Sequence, residues 1–174
     1  ARAREYEDAL TWLQNAGLIH KVSLCQTPQI PLKSYEDLSI FKIYCLDIGL
    51  LRVLSELSPE SYLSESPTFK EYKGALAENY ILQSLLANGI KCSRYWASGN
   101  KAEVEFIVQQ GMEVIPIEVK SGTSVTGRSL IEYNKKYLPS LRVRFSMLNL
   151  KRDDTLLNIP LFLADRAKDL CNIM

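Results

Sequence analysis

Two alternating runs within residues 102–120 gather three carboxylates and one amine on the same side of a predicted β-hairpin. Glu103 and Glu105 point to one face of the first strand, because successive side chains alternate along a strand. Glu118 and Lys120 share the polar face of the second strand, and its other face is apolar. Carboxylate oxygens are the ligands that hard divalent cations prefer. The pattern therefore predicts a site that holds a divalent metal beside a scissile phosphate.

The turn between the two runs decides which acids face each other. A two-residue turn at residues 111–112 is type II′, with glycine at the position that needs a positive φ, and it sets Glu105 opposite Glu118. A turn centred on residues 110–111 instead sets Glu103 opposite Glu118 and requires a left-handed glutamine. We prefer the first register, and the acids share one face in both. Because like charges opposite each other destabilise a sheet, we expect a cation or the neighbouring lysine to offset them.

Composition excludes several classes of site. The 174 residues suit one medium domain, or one domain with a small appendage, and the net charge of +1 neither demands nor excludes nucleic acid. His20 is the only histidine, which rules out a histidine-based triad or a histidine-rich metal site. The four cysteines form no Cys-x-x-Cys pair, so we expect reduced thiols in a cytoplasmic protein. No apolar run is long enough to span a membrane, so we expect no membrane partner. The abrupt Ala-Arg-Ala-Arg start suggests a piece of a longer chain.

The first 46 residues read as a helix followed by a two-stranded ribbon with a long tip. The spacing of apolar residues predicts a helix over 4–15 and strands over 18–24 and 40–46. This order is that of the back half of a winged helix. A plain helix–hairpin packing unit remains an alternative.

The rest of the chain predicts the order helix, three strands, helix, strand. Asp47 is expected to cap a short helix that ends near residue 54, and residues 57–70 read as an irregular connector. The further predicted elements are a helix over 74–88, a strand over 91–96, the acidic hairpin, a helix over 129–137, a strand over 143–148, and a segment over 159–163 that leads into a last helix.

That order, with an acid in the second strand and Glu-x-Lys in the third, resembles the PD-(D/E)XK nuclease superfamily. More closely, the chain resembles the uncharacterised C-terminal domain carried by many bacterial and archaeal AAA+ ATPases. The matching stretches are 42–51 (KIYCLDIGLL), 74–79 (GALAEN), 95–96 (YW), 102–107 (AEVEFI) and 116–122 (PIEVKSG). The resemblance implies an α/β, restriction-endonuclease-like αβββαβ core, a mixed sheet flanked by helices, over residues 47–174. A partial winged helix, consisting of a helix and a wing hairpin, would occupy residues 1–46.

The resemblance also implies the roles of the site residues. Glu105, Glu118 and Glu78 would bind Mg²⁺ or Mn²⁺, and Lys120 would position or activate the attacking water and steady the phosphate. The family usually has aspartate where this chain has Glu105, and the extra methylene moves the carboxylate by roughly 1.5 Å. The residues also admit plainer roles. Glu78 could be one more exposed acid of an amphipathic helix, the Glu118–Lys120 face could be merely solvated, and Glu103 is expected to pair with Lys120 or Lys101.

The implied activity is metal-dependent cleavage of DNA or RNA, in a polypeptide whose AAA+ module lies upstream of this chain and assembles as an oligomer. The alternative is a catalytically inactive DNA- or protein-binding regulatory module of that ATPase. A third reading inserts the helix over 5–15 into a DNA groove, but Glu5, Glu7 and Asp8 on that helix disfavour approach to phosphates.

Basic residues cluster after the hairpin. Between Arg128 and Arg152 the chain carries seven lysines and arginines against Glu132 alone, which either bind phosphates or form a solvated surface. Arg128, Lys135 and Lys136 are the predicted nucleic-acid contacts. Residues 122–129 nearly match a phosphate-binding P-loop, but Arg128 replaces its lysine, so we interpret them as a Ser/Thr loop at a helix start.

Overall fold

The computed structural model describes residues 6–58, 69–99, 101–123 and 126–172. Over these ranges the chain is a mixed α/β structure with two mixed sheets and five α-helices. The α-helices are α1 (Glu7–Asn15), α2 (Ile48–Leu54), α3 (Lys70–Ala87), α4 (Arg128–Tyr137) and α5 (Ala167–Cys171). The strands are β1 (Ile19–Leu24), β2 (Asp37–Cys45), β3 (Arg94–Ala97), β4 (Glu103–Val104), β5 (Phe106–Gln110), β6 (Glu113–Val119), β7 (Arg142–Ser146), β8 (Lys151–Asp153) and β9 (Leu156–Pro160). Short 3-10 helices span Leu32–Tyr35 and Leu161–Arg166.

The first sheet has the strand order β2-β1-β3-β4. β1 and β2 form an antiparallel ribbon after α1, so the predicted helix and hairpin are present. β1 also pairs with β3 in parallel, which joins the ribbon to strands that come much later in the chain. The winged-helix assignment and the division of the chain at residue 46 stay predictions.

The second sheet has the strand order β5-β6-β7-β9-β8. β5 and β6 are antiparallel, whereas β6, β7 and β9 run parallel to one another. The connection from β6 to β7 contains α4, as a parallel pair requires a crossover. Sequence reasoning missed β8, because its three residues are all exposed and carry no apolar alternation.

The β5–β6 hairpin has the register that the sequence favours. Gln110 pairs with Glu113, and Phe106 pairs with Ile117. Gly111 adopts a φ of 59°, the positive value that the first central residue of a type II′ turn needs. The preferred register is thus confirmed.

The strand that carries the first two acids breaks at Glu105. β4 ends at Val104 and pairs with β3, whereas β5 begins at Phe106 and pairs with β6. Val104 packs in one apolar cluster and Phe106 in the other. Side-chain alternation along one continuous strand predicts that Val104 and Phe106 share a single apolar face opposite Glu103 and Glu105. This prediction is wrong, because the chain passes from one sheet to the other at this point. Glu105 therefore lies at the junction of the two sheets.

Two buried clusters hold the layers together. The larger one joins the apolar side of α3 to the hairpin and to the β1–β2 ribbon. The smaller one seats α4 through Leu130 and Tyr133 against Trp96, Val104 and Ile107. Burial of these side chains fixes both helices against the strands that carry the acids.

α3 begins at Lys70, one turn before the predicted start, and the connector predicted over 57–70 falls mostly on residues 59–68, outside the described residues. The predicted cap of α2 is confirmed: the Leu50 N–H donates to Asp47 Oδ1 over 2.7 Å.

Replacing Asp47 with alanine is expected to lower the free energy of unfolding by about 1 kcal/mol, because an amide of the first turn of α2 loses its acceptor. Urea denaturation of Asp47→Ala against the unmodified chain measures the change. Asp165→Ala, which removes an exposed acid, serves as the control and should stay within about 0.5 kcal/mol of the unmodified chain. Equal losses in both variants would contradict the capping role.

Candidate active site

Glu105, Glu118 and Lys120 converge on one point. Lys120 Nζ lies 3.6 Å from Glu105 Oε1 and 3.5 Å from Glu118 Oε1. Glu118 is 1% exposed and Glu105 is 7% exposed. Lys120, whose side chain is 31% exposed, is the member of the group with the most access to solvent. The two carboxylates thus present one oxygen each to a shared ammonium group.

Glu118 is held by an arginine from the next strand. The parallel register pairs Glu118 of β6 with Arg144 of β7. Arg144 Nε donates to Glu118 Oε2 over 2.9 Å, and both side chains are buried. Glu118 Oε1, by contrast, is buried without a hydrogen-bond partner. Oε2 is therefore fixed by a hydrogen bond, whereas Oε1, which faces Lys120, accepts none.

Glu105 is held by the backbone of β6. The Val119 N–H donates to Glu105 Oε2 over 3.0 Å. Burial raises the pKa of Glu105 to about 7, even though Lys120 and the Val119 amide both act in the opposite direction. The negative charge of Glu78 adds to the increase. Near neutral pH this carboxyl group is consequently divided between its two protonation states.

Glu78, from α3, lies near this group but is held by other partners. Tyr44 OH donates to Glu78 Oε2 over 2.9 Å, and Lys42 Nζ lies 3.9 Å from the same oxygen. Burial would lower the pKa of Lys42, but its hydrogen bond to Glu103 and the charge of Glu78 outweigh this effect and raise it. Burial, together with Glu78, raises the pKa of Tyr44. An open cavity of about 420 Å³ borders Glu78 and Lys42 on the side of α2.

Glu103 does not have the partner that the sequence suggested. It forms an ion pair with Lys42 of β2, not with Lys120 or Lys101. The physical reason is the strand break: Glu103 pairs with Ala97 of β3 and not with β6. This places it beside the β1–β2 ribbon.

Of the three predicted nucleic-acid contacts, Arg128 lies at the start of α4, whereas Lys135 and Lys136 lie in its last turn. Arg128 is exposed at the start of the helix. Lys135 pairs with Glu132 over 2.8 Å, and Lys136 donates to Ser98 Oγ over 2.7 Å, about 10 Å further along the helix axis. The structure therefore does not gather them into one patch, and their role stays a prediction.

The donor set suits a metal held by few protein ligands. Across the described ranges, no group of three or more histidine, cysteine, aspartate or glutamate side chains could hold an ion. Mg²⁺ is commonly held by only one or two carboxylates, with water and substrate phosphates completing its shell. The orphaned Glu118 Oε1 and the facing Glu105 Oε1 fit that arrangement. An all-protein cage that includes Glu78 does not fit.

Sequence reasoning missed Arg144, Lys42 and Tyr44 as members of the site. A signal existed for Arg144: it alternates with the buried Val143 and Phe145, so it had to share the polar face of its strand. What the sequence alone does not give is that β7 lies next to β6. Lys42 and Tyr44 are more than thirty residues from the acids that they contact.

All four cysteines are free, and Cys25, Cys92 and Cys171 are buried. Burial raises the pKa of the Cys171 thiol to about 12, which keeps it protonated and unreactive at neutral pH. Among the described residues, none of the helices has the length and apolar character needed to cross a membrane.

Comparisons with known proteins identify families but no characterised relative. A model described as a domain of unknown function (DUF4143) matches residues 73–162, just over half of the chain, which include the whole acidic hairpin. A second model, also of a domain of unknown function (DUF8612), matches residues 1–61. Neither the curated proteins nor the solved structures contain a match. DUF4143 domains are known to sit C-terminal to AAA ATPase domains. Because the DUF4143 match covers more than half of the chain, including Glu105, Glu118 and Lys120, the chain belongs to the DUF4143 family.

Proposed function

We propose that this chain is the nuclease-like C-terminal part of an AAA+ family ATPase, and that it cleaves nucleic-acid phosphodiesters with a divalent metal. One observation carries the proposal: Glu105 Oε1 and Glu118 Oε1 face the same Lys120 ammonium group, within 3.6 Å. Two acids can hold a divalent metal, and a neighbouring lysine can stabilise negative charge on a phosphate. The AAA+ module would lie upstream in the same polypeptide.

The order of elements supports a restriction-endonuclease-like core. From α3 onward the chain runs helix, β3, the broken strand β4–β5, β6, helix, β7. The two metal-site acids come from the second and third of these strands, and Lys120 follows directly after β6. This order is consistent with the αβββαβ arrangement that the resemblance implies, with the break at Glu105 as a local feature of this chain.

Each residue of the group has a distinct role in the proposal. Glu105 Oε1 and Glu118 Oε1 would hold Mg²⁺ or Mn²⁺, while the Val119 amide and Arg144 fix the orientation of the two carboxylates. When bound there, such a cation would supply the positive charge that acidifies an adjacent water and stabilises charge on the phosphate. Lys120 Nζ would then donate hydrogen bonds to a phosphate oxygen as its negative charge increases. Glu78 would act at longer range, because Tyr44 and Lys42 hold it.

The proposal predicts that Lys120→Ala slows cleavage by about 10²-fold or more, because the transition state loses a positively charged donor. The assay follows degradation of labelled DNA and RNA by the whole chain with Mg²⁺ or Mn²⁺, and with EDTA. Lys101→Ala is the matched control, since it removes an exposed lysine outside the group and should leave the rate unchanged. Equal rates in Lys120→Ala and the unmodified chain would indicate a contaminating nuclease. Absence of metal-dependent cleavage on every substrate would refute the proposal.

One observation favours a second function, a regulatory module that binds DNA or protein without turnover. Lys120 and Arg144 already place two positive charges beside the two buried acids, so the group can serve as a structural unit without a metal. In this case the unmodified chain should show no measurable cleavage. Its nucleic-acid binding should survive the double change Glu105→Gln and Glu118→Gln. Fluorescence anisotropy with labelled DNA, measured alongside the cleavage assay, separates the two functions.

A further inference from the structure

Glu78, the acid on α3, has only one of its two carboxylate oxygens held by a donor. Tyr44 OH donates to Glu78 Oε2 over 2.9 Å. Within the described part of the chain, no donor forms a hydrogen bond to Glu78 Oε1. In the two metal-site acids a donor also holds Oε2, both in Glu105 and in Glu118. Tyr44 thus holds Glu78 in the way that other donors hold the two acids of the site.

Tyr44 comes from a part of the chain that lies far from the acids in sequence. It is on β2, outside the DUF4143 match, which begins at residue 73. Lys42, on the same strand, forms an ion pair with Glu103 and lies 3.9 Å from Glu78 Oε2. β2 therefore contributes two side chains to the surroundings of the acids.

Packing and hydrogen bonds fix the position of Tyr44. The residue is 7% exposed, and its ring lies against that of Phe106 with the two centroids 5.6 Å apart. Phe106 directly follows Glu105 in the chain. The next residue of β2, Cys45, is bound at both backbone groups: its N–H donates to Asn79 Oδ1 over 2.9 Å, and its carbonyl accepts from Asn79 Nδ2 over 3.1 Å. Tyr44 is thus anchored both to α3 and to the strand that follows Glu105.

A donor that orients Glu78 matters because a metal site depends on groups beyond its direct ligands. Mg²⁺ keeps several waters when one or two carboxylates bind it. Outer hydrogen-bonding groups orient the surroundings of the ion, and the loss of one costs about 10–100-fold in metal affinity. Glu78 lies near enough to Glu105 for its negative charge to raise the pKa of that carboxyl group. Without the Tyr44 hydroxyl, Glu78 would be free to pair with Lys42 instead.

We infer that Tyr44 is a positioning residue of the candidate site, which holds Glu78 through Oε2 and keeps Oε1 free as an acceptor for the waters of a bound divalent cation. The inference rests on the proposed function. It adds a residue of the β1–β2 ribbon to a site whose acids all lie within residues 73–162. The contact between β2 and α3 thereby serves the site as well as the fold.

The test is the affinity of the whole chain for Mn²⁺, measured by isothermal titration calorimetry without nucleic acid. Tyr44→Phe removes only the hydroxyl group and retains the ring that packs against Phe106. We expect this variant to bind Mn²⁺ about tenfold more weakly than the unmodified chain, because Glu78 loses its donor. Circular dichroism and urea denaturation establish that the variant is folded.

Tyr133→Phe is the matched control, since it makes the same change at another buried tyrosine. The hydroxyl group of Tyr133 is buried without a hydrogen-bond partner in the described part of the chain. This control should bind Mn²⁺ as tightly as the unmodified chain. Equal affinities in the two tyrosine variants would overturn the role of Tyr44 and leave the metal site itself intact.

A further pair of variants tests whether the tyrosine acts through Glu78. Glu78→Ala removes the acid from a partly exposed position on α3, and it should weaken Mn²⁺ binding at least as much as Tyr44→Phe does. In the Glu78→Ala background, Tyr44→Phe should cause no further loss. Unchanged affinity in Glu78→Ala, or a full additional loss in the double variant, would overturn the inference. An unmodified chain that binds no Mn²⁺ would refute the proposed function together with this role, so the two failures are distinguishable.

Discussion

Arg144→Ala is expected to lower the free energy of unfolding by about 3–5 kcal/mol, the largest effect of any single substitution considered in this protein. The reason is the environment of Glu118. Its carboxylate is 1% exposed and receives its one hydrogen bond from Arg144 Nε. Without the arginine, the buried charge keeps only Lys120, at 3.5 Å, as a partner.

Denaturation in guanidinium chloride measures this loss, and a second substitution isolates its cause. Glu118→Gln removes the charge, so the double variant Arg144→Ala, Glu118→Gln should recover a large part of the lost stability. Arg142→Ala is the matched control on the same strand, because that arginine bonds a neutral hydroxyl group and should cost less. If the double variant is no more stable than Arg144→Ala alone, the arginine acts through packing and not by compensating Glu118.

Glu105→Gln is expected to stabilise the protein above pH 7 by up to about 3 kcal/mol, the free energy that corresponds to moving the pKa from 4.5 to about 7. The folded chain retains a proton on Glu105 between these two values, whereas the unfolded chain has already released it. In this window the folded state therefore binds more protons, and its stability falls as the pH rises. Glutamine cannot titrate, so the variant lacks this decrease.

Urea denaturation at pH 5 and pH 8 checks the prediction. The two proteins should differ little at pH 5, and the variant should be the more stable at pH 8. Glu103→Gln is the control: it removes a half-exposed acid from the same segment, and the decrease in stability that Glu105 causes between pH 5 and pH 8 should remain. Parallel pH profiles for Glu105→Gln and the unmodified chain would show that burial does not raise the pKa of Glu105.

The convergence of Glu105, Glu118 and Lys120 follows from features that sequence reasoning can use. The turn at residues 111–112 sets the register, and the alternation of side chains places residues 118 and 120 on one face. Both are local properties of the chain. For this reason the hairpin could be predicted together with its preferred register.

The strand break at Glu105 could not be predicted, because Val104 and Phe106 are both apolar and equally compatible with one continuous strand. The break arises because residues 103–104 pair with β3 in one sheet, whereas residues 106–110 pair with β6 in the other. The parallel pairing of β1 with β3 is another long-range outcome, since those strands are about seventy residues apart. Arg144 and Tyr44 escaped prediction for the same reason: only the strand order and the position of α3 bring them to the acids.

Crystals soaked in Mn²⁺ show whether the two glutamates and the lysine form a metal-dependent site for a phosphodiester. We expect an anomalous peak within about 2.3 Å of both Glu105 Oε1 and Glu118 Oε1, with Lys120 Nζ moved away from the ion. Density for Lys120 still bridging the two carboxylates, with no peak between them at saturating Mn²⁺, would contradict it.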